Sequence, residues 1–316
     1  MTITCSVDAK VERQGSTTLP VKRFFGIIRE LPTAEIDIDV DDKNMCALRS
    51  GPSFYKIHGI AAEEFPPIPQ FKGDKKVALP QEKVKTMLRK TSYAISTDDS
   101  RYVLNGIFIS LREDKVTMVA TDGRRLALVE EEAGLDKDLK GEFIVPTKAI
   151  NELTRLLMAK GEVEIKFTDN QVAFTLGGEG SLRAQLISKL VEGNYPNYRQ
   201  VIPAESKERI SLAREELLHA LHRAEFMTSD KANSVKLNFS KNNLTITANT
   251  PEVGEGRESI AVNYKGKDFA VAFNPQYLMD PLKNLESDEI FLELTDELSP
   301  GVIRSEEHTS ELQSRL

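Results

Sequence analysis

An α+β fold of repeated units, with helices on one side of antiparallel sheets, is what this 316-residue sequence predicts, and three observations carry it. The chain repeats itself at about domain length. Its helical segments place apolar residues at three and four spacing, as in Val84 and Leu88 or Ile150, Leu153 and Leu157, a stripe suited to a flat partner. Its strands alternate, as in Val163, Ile165 and Phe167, which marks a sheet with one buried face. Helices layered on antiparallel sheets follow.

Two kinds of unit build the repeat, in the order B, A, B, A, B. Unit B opens with an extended, proline-bearing lead-in, then a helix, at TTLPVKRFFGIIREL, FIVPTKAINELTRLL and FAVAFNPQYLMDPLKNL. Each copy continues into an alternating strand ending in an acidic turn, IDIDVDD, VEIKFTD and IFLELTD. Unit A is a helix followed by two strands, once as ALPQEKVKTMLRKTSYAI, VLNGIFISL and KVTMVATD, and again as SLAREELLHALHRAEFMT, SVKLNFS and NLTITANT. Val84 and Leu217, like Leu88 and Leu221, stand 133 positions apart, so the offset is constant through the helix. Periodicity breaks at 66–76 and around 202–210, where proline, glycine and charge accumulate. The expected division is 1–75, 76–203, 204–303, and a tail at 304–316.

Hydrophobic residues at 40% and charged residues at 29% exclude a wholly disordered chain. No apolar run approaches the roughly 20 residues of a membrane span, and the polar start MTITCSVDAK is not a signal peptide, so a cytoplasmic protein without a membrane role is expected. Cys5 and Cys46 are too few and too far apart for a disulfide framework or a CxxC site, and both are expected as buried strand residues. His219 and His222 share a helix with no third metal ligand nearby, so no cofactor or metal is expected. A net charge of −7 argues against coating nucleic acid with the whole surface. It leaves room for a local basic face, and the helices supply one: Lys22, Arg23 and Arg29, then Lys83, Lys85, Arg89 and Lys90, then Lys148, Arg155 and Lys160. Any single cation is more often solvated surface, but repeated units lining one surface would attract phosphates without reading sequence.

At RYVLNGIFIS (101–110), VATDGRRLAL (119–128) and KLVEGNYPNYRQVIP (189–203) the sequence resembles the beta subunit of bacterial DNA polymerase III, the sliding clamp family. The Asn105-Gly106 pair, the turn from Thr121 to Leu126 and the segment from Tyr195 to Arg199 come in the family's order, and the likeness runs through nearly all of 1–303. It implies repeated DNA-clamp domains in a pseudo-symmetric, ring-forming architecture. It also implies a non-enzymatic processivity factor that encircles duplex DNA as a homodimer and binds polymerase subunits and the clamp loader through short peptides. The family's chain begins with a helix and strands not found here, so 1–75 is expected to be the second half of domain I. After Ile303 the sequence leaves the family's pattern for a string that resembles a translated sequencing adapter, expected to form no strand.

The resemblance assigns the peptide groove to Leu104, Thr121, Gly123, Arg124, Arg125, Leu126, Pro196 and Val201. Leucine, proline and valine offer an apolar floor, Gly123 permits a positive φ, and the arginines offer donors. A plain core role is the alternative for Leu104 and Val201. DNA contact falls to Lys22, Tyr102 and Lys148, with Arg23 and Arg199 as neighbours, weakened locally by Asp98 beside Asp99. Ring closure falls to Phe226 and Met227 against Tyr55 and Ile57 of the other chain, and either pair fits equally inside its own domain. A metal-dependent nuclease using Asp98, Asp99 or the carboxylates of IDIDVDD is one competing class, and a non-clamp repeat scaffold is another. Against the first, Asp37, Asp39, Asp41 and Asp42 lie on and after an alternating strand, as a solvated face does, with no nucleophile or base beside them.

Overall fold

The computed structural model describes every residue except 34, 136–138, 178–182, 205, 230–231, 298, 306–310 and 315–316, and for 311–314 the backbone alone. Two compact units emerge, Val7–Gln70 and a larger one of Met1–Ser6 with Phe71–Leu316. The first strand, β1 (Thr2–Ser6), therefore leaves the expected 1–75 segment and pairs with a strand of the larger unit.

The smaller unit holds one helix, α1 (Val21–Glu30), and a sheet of β2 (Asp37–Val40), β3 (Met45–Ser50) and β4 (Ser53–His58) in that order. Pro20 precedes the helix in an extended conformation, its ring fixing the backbone where the lead-in turns. The Asp41 carboxylate accepts from the amides of Lys43 and Met45 and closes the β2–β3 turn, while Asn44 takes φ 59°. The core is thin. Cys46, Leu48 and Ile57 are its fully buried residues, with Leu19, Phe24, Ile27, Ile28 and Val40 packed on them, and α1 buries no residue fully.

The larger unit repeats a single topological device. Its first half runs β5 (Lys75–Pro80), α2 (Gln81–Ser92), β6 (Gly106–Arg112), β7 (Lys115–Thr121), β8 (Arg125–Glu132), β9 (Gly141–Pro146), α3 (Thr147–Leu156), β10 (Glu162–Phe167), β11 (Gln171–Gly177) and β12 (Arg183–Lys189). The lead-in β5 pairs not with its own unit but with β10, and the lead-in β9 pairs back with β6. The second half runs β13 (Glu208–Ala213), α4 (Arg214–Glu225), β14 (Val235–Ser240), β15 (Asn243–Thr250), β16 (Gly254–Ala261), β17 (Phe269–Phe273), α5 (Pro275–Asn284), β18 (Glu289–Leu294) and β19 (Gly301–Ser305). Here β13 pairs with β18 and β17 with β14, the same exchange. The repeat read from the sequence is thus a repeat of topology, and Val84, Leu88, Leu217 and Leu221 are all buried.

Gln81 secures the exchange in the first half. Buried at the start of α2, it donates to the carbonyls of Glu162 (3.2 Å) and Gly177 (2.7 Å) and accepts from the Met158 amide (2.9 Å). Gly106 secures it at the other end: a Cβ there would stand 2.3 Å from the Val145 carbonyl oxygen, so β6 and β9 approach this closely only with glycine.

Three expectations change. Cys46 is buried, but Cys5 is exposed, because β1 lies at the margin of its sheet. The stretch expected to lack a strand contains Arg304 and Ser305 at the end of β19 and then β20 (Glu311–Ser314), which pairs with β19 on one side and β8 on the other. Sheet edges offer unpaired backbone groups, and a ladder makes few demands on side chains, so a segment without apolar alternation can still dock. The basic face also narrows. Lys83 donates to the Glu132 carbonyl, Lys85 donates to the Leu157 carbonyl, Arg89 pairs with Glu286, and Lys90 is buried.

Two outcomes are expected. Gly106→Ala should cost about 1–3 kcal/mol in urea unfolding, whereas Gly177→Ala, with open space around the new methyl, should be close to neutral; equal effects would refute the close-approach reading. Limited proteolysis should cut within 7–70 well before 76–203, since three buried apolar residues anchor the smaller unit; equal resistance would contradict this.

Candidate functional site

The sheet of β6 to β9 has two apolar faces. Ile107, Ile109, Val116, Met118, Ala127, Val129, Phe143 and Val145 point to the helix side and join the main core. Alternation sends Phe108, Val119, Thr121, Leu126, Leu128 and Ile144 to the other face. There the ladder sets Thr121 opposite Leu126 and Val119 opposite both Leu128 and Phe108. The segment 191–201 crosses this second face. The Val191 amide donates to the Ile144 carbonyl, Tyr195 stacks on Phe108 at 5.0 Å, and the Tyr195 hydroxyl reaches the Val119 carbonyl at 3.5 Å. Burial pushes the Tyr195 phenol up, so it stays a neutral donor.

Of the expected groove residues, Thr121 and Leu126 lie opposite one another on this face, Gly123 and Arg124 are in the turn that joins their strands, and Pro196 and Val201 are on the crossing segment. Leu104 and Leu126 are buried, Thr121 is half-buried, and Gly123, Arg124, Pro196 and Val201 are exposed. The β7–β8 turn is closed on itself: the Thr121 hydroxyl donates to the Arg125 carbonyl (2.6 Å) and accepts from the Gly123 amide, and one Asp122 oxygen accepts from the amides of Arg124 and Arg125. Gly123 takes φ +84°, as its place in the turn requires.

Arg125 departs from the expectation. Adjacent strand residues face opposite ways, so it cannot share a surface with Leu126. Its guanidinium lies on the helix side, where it pairs with Asp122 (3.1 Å) and Asp280 (2.5 Å), donates to the Tyr93 carbonyl (2.7 Å), and stacks on the rings of Tyr277 and Tyr93. Arg101 was missed by sequence reasoning. Its Nη1 stands 2.5 Å from where a Cβ of Gly123 would lie, so it overhangs the turn. The only sequence signal was an arginine beside Tyr102 in an otherwise matched segment.

Among the DNA-facing candidates, Lys22 and Arg23 are exposed on α1 of the smaller unit. In the larger unit Tyr102 is 60% exposed on the 3-10 segment Asp99–Leu104, and Lys148 is exposed in the first turn of α3. The segments that carry them are joined where the Thr147 amide and hydroxyl both donate to the Asn105 carbonyl. Arg199 lies against Tyr198, whose ring tilts on Phe108, on the face away from the helices. Asp98 caps the 3-10 segment, accepting from the Ser100 amide and hydroxyl and from Arg101 Nε, and these bonds, Ser100's first, hold its carboxyl below the usual range.

The interface candidates split. Phe226 is exposed and stacked on His222, while Met227 packs into its own core and donates its amide to the Ala224 carbonyl. Tyr55 is exposed, but Ile57, on the same face of β4, is buried in the cluster that Phe24, Ile27 and Ile28 of α1 pack against. The nuclease carboxylates have structural duties: Asp41 in its turn, with a lowered pKa chiefly through the Met45 amide, and Asp39 paired with Arg13. No group of three His, Cys, Asp or Glu is placed to hold a metal ion among the described residues, and no described helix is long and apolar enough to cross a membrane. A cleft of about 610 Å³ opens after Val201, lined by Pro203, Ala204, Ser206, Arg209, Glu293, Thr295, Pro300, Val302 and Arg304; none of the expected groove residues lines it.

Comparison with known proteins gives a consistent result. Models of the DNA polymerase III beta subunit match in series: the N-terminal domain at 1–69, the central domain at 78–197 and the C-terminal domain at 199–314. The chain is similar to the beta sliding clamp of Chlamydia pneumoniae, 37% identical over 299 residues that span 95% of this chain and 80% of the relative. Among solved structures it is similar to the sliding clamp of Bacillus subtilis (TM-score 0.88, 30% identity, 97% of this chain and 80% of that one). It is also similar to the Pseudomonas aeruginosa clamp bound to griselimycin (TM-score 0.91, 28% identity, 99% and 85%).

The Asp98 cap has a testable acid limit. A carboxyl with a lowered folded pKa stabilises fully above its ordinary value of about 4 and loses that contribution as pH falls through the folded value. Protection of the Ser100 amide, corrected for intrinsic exchange, should be level from pH 7 to about 4 and fall below, and should be lost in Asp98→Ala. Unchanged protection in that variant would refute the cap.

Proposed function

The chain belongs to the DNA polymerase III beta subunit family, the bacterial sliding clamps, and on that premise we propose how its own residues carry out the work. It is a DNA sliding clamp, a processivity factor that tethers the replicative polymerase during DNA replication, and it is an accessory subunit rather than an enzyme. Its partners are duplex DNA, polymerase subunits and the clamp loader. We place it in the cytoplasm as a homodimer and divide it into domains at 1–75, 76–203 and 204–303.

The observation that carries the DNA reading is the exposure of Tyr102 and Lys148 on two segments of the larger unit that are joined through Asn105 and Thr147, with Lys22 and Arg23 exposed on the helix of the smaller one. Long, solvated cations hold phosphates by counterion release and carry no base readout, so contacts exchange without a sequence-dependent barrier and the duplex slides. Partner peptides take the second face of β6 to β9, with Leu104, Thr121, Leu126, Pro196 and Val201 as the apolar lining and Gly123 and Arg124 at the rim. Griselimycin, bound by the Pseudomonas aeruginosa clamp, serves as a probe for this groove. Ring closure rests on Phe226 and Tyr55, which are exposed, rather than on Met227 and Ile57, which fill their own cores.

Lys22→Ala with Lys148→Ala should weaken duplex binding evenly across sequences and reduce the slope of log affinity against log salt by about 2, one per lysine. Fluorescence anisotropy over a salt series measures this, and an unchanged slope would exclude both residues from the DNA surface.

A further inference from the structure

Arg125 bonds three groups through its guanidinium, the carboxylates of Asp122 and Asp280 and the carbonyl of Tyr93. Its side chain is 11% exposed, and its two carboxylate partners are 17% and 19% exposed. One partner, Asp122, holds the backbone of the β7–β8 turn, which presents Thr121 and Leu126. The other, Asp280, belongs to α5 in the second half of the larger unit and is itself steadied by Gln276 (2.6 Å). The third contact is the carbonyl of Tyr93 at the end of α2, with the Tyr93 and Tyr277 rings closing over the guanidinium. A single planar fork therefore joins a turn, a helix end and a helix from the other half.

We propose that Arg125 is a positioning residue for the partner groove: it sets how the β7–β8 turn stands against α5, and so the shape of the surface whose floor Leu126 supplies. The proposal rests on the groove reading given above. The guanidinium cannot itself be the donor to a bound peptide, because its contacts lie on the opposite side of the strand from Leu126. Removing it leaves two poorly solvated carboxylates facing one another, and their repulsion opens the junction. The ion pair of Arg89 with Glu286, which also joins these halves, is far more exposed and screened, and does not share this role.

Titration of griselimycin into the full chain and its variants separates positioning from contact. Arg125→Met and Asp280→Asn should each weaken binding by about tenfold, and the double variant should be no weaker than either single one, because both break the same junction. Arg125→Lys should recover only part of the loss, since an ammonium cannot bridge three acceptors in one plane. Arg89→Gln should bind as the wild type does. Far-UV circular dichroism and melting of every variant show that the loss is not unfolding. Full affinity in Asp280→Asn beside a loss in Arg125→Met would overturn the proposal in favour of direct contact, and additive losses in the double variant would do the same. Val201→Glu, at a half-exposed position on the groove, tests the underlying reading: if it binds normally the groove lies elsewhere, and the proposal falls with it.

Discussion

Each helix-bearing unit in the larger part of this chain makes a sheet that it does not complete alone. The lead-in strand that would close it pairs instead with the neighbouring unit, β5 with β10 and β9 with β6, and again β13 with β18 and β17 with β14. Everything else depends on this exchange. It sets two helices side by side over two sheets, it buries Gln81 where its amide can bond three backbone groups of the other unit, and it requires Gly106 where two strands come close. A ladder of backbone bonds spanning two units makes them fold together, since neither has a finished sheet without the other.

The same constraint explains why the functional surfaces lie where they do. A sheet with helices on one face has a second face to cover, and here the crossing segment 191–201 covers only part of it, with Tyr195 on Phe108. Leu126 on that face is edged by a turn that bonds to itself and so needs nothing from a ligand to hold its shape. The helix side is divided differently. Most cations of α2 are spent on the chain's own carbonyls and carboxylates, so the basic surface of the larger unit narrows toward the start of α3, where Lys148 is exposed.

Much of this was legible in the residues. The B, A, B, A, B order, the offset through Val84, Leu88, Leu217 and Leu221, and the alternation of Val163, Ile165 and Phe167 are consequences of local periodicity, and periodicity is a property of the chain alone. The turn at Gly123 was legible because a residue that must take a positive φ shows itself as a glycine, whereas the Asn105-Gly106 pair was legible only through the family resemblance, and the close approach at Gly106 came from the structure.

What the tertiary structure alone decided was direction and partnership. Arg124, Arg125 and Leu126 read as one run, but strand alternation combined with the position of α5, remote in sequence, sends the Arg125 guanidinium to Asp280 and away from the groove. Arg199 reads as one more cation until the crossing segment carries it to the wrong face. Tyr55 and Ile57 share a face of one strand, yet the cluster that α1 packs against takes in Ile57 and leaves Tyr55 exposed. The sequence determined which elements form and how they repeat, because those follow from neighbours a few residues apart. Which side of each element a charge or ring ends up on was set by contacts between residues tens to more than a hundred positions apart, which no local pattern encodes.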